Sequence, residues 1–245
     1  MKISGRLFAV LICIFTSHVF AEAVAIADIN EKILGKSLGE YGNQWWQWAS
    51  SMPALESPVK DKTGLKCNVN QNGQIWFLAG GYGSSKITRT CSIPRDKYLF
   101  FPVINMLYIP VGDADLSCKQ AKALAALNND NLRSFVVSID QHTIVNPAFH
   151  RYSSPDCFDL LSRAPKSPQS LRLYPSATDG YWVMLKPLPV GQHTIKFKAE
   201  YHNPDEAYGM MVQDIEYQIE IVESIKAPPQ LKLINENKTS LDNGV

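Results

Sequence analysis

The sequence predicts a mostly β fold: two packed sheets in an Ig-like or jelly-roll-like sandwich, with a helical segment at the N-terminal end and one inserted helix. Three observations carry this reading. Between Gln74 and Ile109 lie three apolar runs rich in aromatic and β-branched residues, separated by Gly- and Pro-bearing breaks, as strands joined by turns would be. Further on, Ile195, Phe197, Ala199 and Tyr201 alternate with Lys196, Lys198 and Glu200, and Ile215 to Ile221 alternates with Glu216, Gln218 and Glu220. That is the period of a strand with one wet face. Finally, no segment of about 20 to 50 residues repeats, which excludes solenoids and propellers.

Taken in order, residues 1–21 have a basic start (Lys2, Arg6), an apolar run from Leu7 to Phe15 and a small residue at Ala21. This is the pattern of an export signal cleaved near Ala21. The run is shorter than the ~20 residues that span a bilayer. Cys13 follows Ile12 rather than a small residue, so lipid anchoring is not expected. The later apolar stretch from Leu99 to Val111 is broken by Pro102, Asn105 and Pro110, and no stable membrane insertion is expected there.

Residues 28–52 read as two short helices. Asp28 with Glu31, and Ser37 with Glu40, are spaced as capping boxes, with Gly35 and Pro53 placed to end each helix. Leu34, Leu38, Tyr41, Trp45 and Trp48 form one apolar stripe. Gly39 and Gly42 each cost this helix about 1 kcal/mol relative to Ala, so it should persist only when docked. Trp46 lies one position off the stripe, ~100° around the helix. There it either anchors a ligand or is covered by a loop.

Residues 53–73, with Pro53, Pro58, Gly64 and Gly73, read as a loop. In the second run of the central stretch, Ile87, Arg89, Cys91 and Ile93 share a face. A guanidinium on the apolar side needs a carboxylate or a ring of carbonyls; gripping an anionic ligand is the other use. Asn105 interrupts the third run and reads as a bulge or backbone clasp, with a ligand contact as the alternative. Asp113 and Asp115 lack the further oxygen ligands of a calcium loop. Ser117 and Gln120 cap a helix over Cys118 to Leu127, and Phe135, Val137 and Ile139 then begin a strand that turns at Asp140 into Thr143 to Val145. Residues 146–178 read as one long loop, Gly180 to Leu185 as an interior strand, and residues 224–245 as a flexible tail. Residues 22–223 are expected to form a single domain.

Removing the leader takes away two of 24 basic residues and none of 23 acidic ones, for a formal charge of −1. That is no footprint for nucleic acid. Four cysteines remain, Cys67, Cys91, Cys118 and Cys157, and after export they are expected to be disulfides. Three pairings are possible; the shorter loops favour Cys67 with Cys91 and Cys118 with Cys157. Neither a nucleophile elbow nor a phosphate loop occurs. His142, His150, His193 and His202 are dispersed, so no metal and no cofactor is expected.

Trp48-Ala49, Pro53, Asp61-Lys62-Thr63-Gly64, Cys67, Gln71-Asn72-Gly73, Trp76-Phe77-Leu78-Ala79-Gly80, Arg89-Thr90-Cys91, Phe100-Phe101-Pro102-Val103 with Asn105, and Asp179-Gly180-Tyr181-Trp182 resemble a family of exported bacterial proteins of unassigned function. The resemblance covers most of the chain after the leader and implies that Cys67 to Cys91 is one structural unit. It supplies no substrate. The functional expectation is a secreted or periplasmic recognition protein that binds a saccharide or a protein surface through Trp46, Tyr82, Trp182 and Arg89, with Asn105 as a further contact. Two rivals stand beside it. One is an enzyme acting on a cell-envelope or extracellular polymer through Arg89 and Asp179 or Asp140; the other is an assembly protein whose apolar surface meets another copy.

Overall fold

The computed structural model describes residues 26–111, 116–144, 146–166, 172–204 and 209–223. The leader, the tail and the loop with Asp113 and Asp115 lie outside the described residues. In chain order the elements are α1 (Leu38–Ala49), β1 (Ile75–Phe77), β2 (Ser85–Pro94), β3 (Tyr98–Tyr108), α2 (Cys118–Ala126), β4 (Leu132–Ile139), β5 (His142–Ile144), β6 (Arg151–Ser153), β7 (Ala177–Leu185), β8 (Gly191–His202) and β9 (Met210–Val222). They build two sheets, one ordered β1-β3-β7-β6 and the other β2-β9-β8-β4-β5. The chain is a two-sheet β-sandwich. Two parallel pairings, β1 with β3 and β2 with β9, sit among antiparallel ones.

The alternation read from the sequence explains the second sheet. In β2, Ile87, Arg89, Cys91 and Ile93 are buried while Thr88, Thr90 and Ser92 are exposed. The inner faces of β8 and β9 meet Phe101, Val103 and Val183 of the first sheet, and Phe101 stacks on Phe197 at 5.0 Å. On the wet faces, Lys196 pairs with Glu216 at 3.2 Å.

The first sheet is covered on both sides. Its second face carries α1, whose Tyr41, Trp45 and Trp48 pack with Phe77, Phe100 and Trp182. This is why every residue of β7 is buried and why the segment shows no alternation. Ser37 caps α1 through the expected box with Glu40. The glycines of α1 are close-approach positions: a Cβ on Gly39 would stand 2.4 Å from the Ser153 carbonyl oxygen, and one on Gly42 would touch the Trp182 ring at 3.4 Å. They let the helix sit down on β6 and β7.

The helix expected over residues 28–34 does not form. Glu31 still accepts from the Asp28 N–H, at 3.1 Å, but Leu34 and Gly35 take positive φ and Ile33 bridges Lys36. The pattern makes a tight reversal instead, and Leu34 leaves the stripe, exposed. Residues 146–178 are likewise not all loop: β6 lies within them, and β7 begins at Ala177.

Both expected disulfides are present, Cys67–Cys91 and Cys118–Cys157, with Cα–Cα distances of 6.1 and 5.7 Å. The first ties the 53–73 loop to β2, and the second ties α2 to the segment after β6. Closing loops of 24 and 39 residues contributes about 3.5 and about 4 kcal/mol on the chain-entropy account.

Candidate functional site: an uncharged pocket on an open sheet edge

Arg89 is 1% exposed and satisfied by carbonyls. Its Nε donates to Asp61 O at 2.8 Å, one terminal nitrogen to Ala79 O at 2.8 Å and the Tyr217 hydroxyl at 3.1 Å, and the other to Gly80 O at 2.9 Å and Val59 O at 3.2 Å. The guanidinium lies 5.5 Å from the Tyr217 ring centroid. Burial pushes the Tyr217 phenol up, against the pull of Arg89. Of the two uses read from the sequence, the geometry is that of a clasp joining the 59–61 loop, the 79–80 corner and β9. Every donor is occupied, which leaves no face toward solvent for an anion.

The corner that Arg89 holds creates an opening in the sandwich. β1 runs beside β3 only as far as Phe100, where Leu78 N still donates to Phe100 O at 2.9 Å. The chain then crosses to the other sheet: Ala79 N donates to the Tyr217 hydroxyl and Gly81 N to Gln213 Oε1. Beyond Phe100, β3 has no neighbour on that side among the described residues. The gap is a pocket of about 370 Å³.

One wall is Trp45 and Trp46 of α1, the opposite wall is Met211 and Gln213 of β9 with Tyr201, and Tyr82 stands at the mouth. Along the floor run Pro102 to Leu107 of β3, with Ile109 beyond. Among the described residues, none that lines the pocket carries a charged side chain. Trp46 is half-buried and oriented: its Nε1 donates to Thr178 Oγ1 at 2.9 Å, and its ring stands edge-on to Trp45 at 5.1 Å. Thr178 Oγ1 in turn donates to Met106 O at 2.6 Å. The Gln213 amide is used internally, accepting from Gly81 N at 2.8 Å and donating to Gly83 O. Tyr82 is 48% exposed, and partial burial raises its phenol pKa further, so it stays neutral. Asn105 lines the pocket, and its side-chain amide has no hydrogen-bond partner among the described residues.

A bulge places Asn105 there. The β3–β7 register slips between Pro102 and Ile104, and Asn105 then faces Gly180, where a Cβ would collide with Asn105 Cβ at 2.4 Å. Of the residues singled out from sequence, Trp46, Tyr82 and Asn105 come together. Trp182, expected as a ligand contact, is instead fully buried, stacked on Phe100 at 5.3 Å, because α1 covers that face of β7. Met106, Ile109, Met211 and Gln213 were not foreseen. For Met106 and Ile109 the one sequence signal is the loss of alternation around Pro102 to Asn105, which moves the residues that follow to the other face; Met211 and Gln213, on β9, leave none.

The carboxylates considered with Arg89 sit elsewhere. Asp179 is buried and bound to Arg151 Nε at 3.0 Å, and the same Arg reaches Asp130 at 2.6 Å. Burial pushes the Asp179 carboxyl up, opposed by Ser153, Arg151 and Asn129. Asp140 binds His193 Nδ1 at 2.9 Å and the Thr194 N–H. Among the described residues no three His, Cys, Asp or Glu side chains gather as metal ligands, and no helix is long and apolar enough to cross a membrane.

Fold and site together define a disulfide-stabilised β-sandwich with a neutral pocket at the free edge of one sheet. No family model and no curated protein matches the chain. Two solved structures show a faint likeness. One is a cysteine protease inhibitor, EhICP2, from Entamoeba histolytica, at 17% identity and a TM-score of 0.24 over 60% of this chain and 96% of that one. The other is PbICP-C in complex with falcipain-2, at 12% identity and a TM-score of 0.25 over 61% of this chain and 100% of that one. Likeness at this level says nothing about what the present chain binds.

Proposed function

We propose that this is an exported recognition protein, secreted or periplasmic as in the family its motifs resemble, that holds an uncharged, mainly apolar group of a partner between Trp46, Tyr82 and Met211. The observation that carries the reading is the pocket itself. A neutral, aromatic- and Met-lined cavity with one unspent amide, Asn105, and exposed apolar residues Tyr82 and Ile109 in its lining has the composition of a binding site. Two disulfides suit life outside the cytosol. A protein side chain fits better than a sugar, whose hydroxyls each need a partner: Gln213 and Thr178 are already committed, and buried hydroxyls without partners are costly.

The test is titration with the uncharged fluorophore N-phenylnaphthylamine. Saturable binding is expected, weakened at least about tenfold, or about 1.4 kcal/mol, by Met211→Trp, which fills the cavity, and by Asn105→Asp, which places a charge in it. The exposed variant Leu65→Ser should bind as the wild type. Equal binding by all four proteins would reject the pocket as the site.

A further inference from the structure

Resting on that reading of the pocket, we infer that its partner enters as an extended, uncharged polypeptide segment that adds a strand to the free edge of β3 and places one large apolar side chain in the cavity. The backbone geometry is what points to a peptide. Thr178 of β7 spends both its N–H and its C=O on Ser154, on the β6 side, each at 2.8 Å. In an antiparallel ladder a residue's two backbone groups point the same way and successive residues alternate. Leu107 stands opposite Thr178 and Asn105 opposite Gly180, so both turn their N–H and C=O away from β7, toward the pocket. The close approach of Asn105 to Gly180 agrees with a non-hydrogen-bonded pair.

The same parity runs up the strand. Phe100 uses its outward carbonyl on Leu78, and the next outward position is Pro102, which has no N–H to leave unpaired and is tolerated only on an edge. Past it, β3 presents two outward donor–acceptor residues two positions apart, ~7 Å along the strand, the spacing an incoming strand matches. A small apolar ligand or an acyl chain would leave those four groups unsatisfied, and unpaired backbone groups shut away from water are costly. Among the described residues no charged side chain lines the cavity, and this sets the partner's character: an ionic side chain there would lose its hydration without a counter-charge.

The experiment uses capped, uncharged seven-residue peptides with Phe, Leu or Trp at the centre and Thr and Val around it. Binding is read by displacement of N-phenylnaphthylamine and by backbone hydrogen exchange. At least one peptide should displace the fluorophore and slow exchange at the Asn105 and Leu107 amides at least tenfold. Its counterpart with N-methyl groups on alternate backbone nitrogens should bind at least tenfold more weakly. Displacement by peptides without protection of those two amides, or with indifference to N-methylation, would overturn strand addition while leaving the pocket standing. Strand addition is equally overturned if the fluorophore binds but no peptide competes. Failure of the fluorophore itself to bind would remove the pocket reading. If the unliganded protein sediments as a dimer with both amides already protected, the edge belongs to a second copy and the inference falls.

Discussion

Replacing Arg89 with Met tests how the corner between β1 and β2 is held. Met keeps much of the volume and removes every donor. Three carbonyls, those of Val59, Asp61 and Gly80, lose their partner, while Ala79 O loses one of two and keeps the Tyr217 hydroxyl, which itself loses the guanidinium. At the low end of about 1 kcal/mol per orphaned buried acceptor, the three carbonyls alone give about 3 kcal/mol. This lies in the about 3 to 5 kcal/mol range for breaking a buried, charge-bearing network. With a guanidinium chloride slope of about 5 kcal/mol/M, the unfolding midpoint should fall by about 0.6 M. Arg89→Lys should fall between the two proteins, since one ammonium cannot reach both the 59–61 loop and the 79–80 corner. The assay is equilibrium unfolding followed by tryptophan fluorescence with both disulfides oxidised. A Met variant within about 0.1 M of the wild-type midpoint would refute the clasp, and with it the account of how the pocket's edge is shaped.

Further outcomes follow from the same geometry. His150 is buried against Phe135, and burial holds its pKa below the ordinary 6.5, outweighing a backbone hydrogen bond that raises it. The unfolded chain therefore takes the proton first: stability from this group is complete above about pH 6.5 and declines as pH falls toward the folded value. Thermal melts between pH 7 and pH 5 should show that slope, and His150→Phe should flatten it. Gly39→Ala, stabilising in an ordinary helix interior by about 1 kcal/mol, should here destabilise by about 1 to 3 kcal/mol, because the new methyl meets the Ser153 carbonyl; chemical denaturation decides the sign. Cys118→Ser with Cys157→Ser should lower stability by about 4 kcal/mol as α2 loses its tie to the segment after β6. An unchanged melting curve would show that α2 is held by Ala121 and Ala125 packing on Ala177 alone.

Much of the sandwich is written in local periodicity. The alternation around Arg89 placed its side chain on the inner face because a half-buried strand has period two, and the disulfides followed from loop length. The partners of Arg89 were not legible, since apart from the Tyr217 hydroxyl they are main-chain carbonyls delivered by loop paths that no side chain encodes. Asp28 and Glu31 misled because a capping pair makes the same local hydrogen bonds in a tight turn as at a helix start; the positive φ at Leu34 is a tertiary outcome. Trp182 was misjudged as a ligand contact although Gly180 to Leu185, apolar on both faces, reads as an interior strand: the run signals that both faces are covered without telling which element covers the second. At the pocket, the unusual residues Trp46, Tyr82 and Asn105 stood out one by one. Met106, Met211 and Gln213 did not, because their convergence depends on a one-residue bulge and on a strand that leaves its sheet.

The most direct test of the central claim is a crystal structure of the protein saturated with N-phenylnaphthylamine. The account predicts the naphthyl ring between Trp46, Tyr82 and Met211 with its amine within hydrogen-bonding reach of the Asn105 amide. Density for the fluorophore at any other surface, with this cavity closed or filled by water alone, would contradict it.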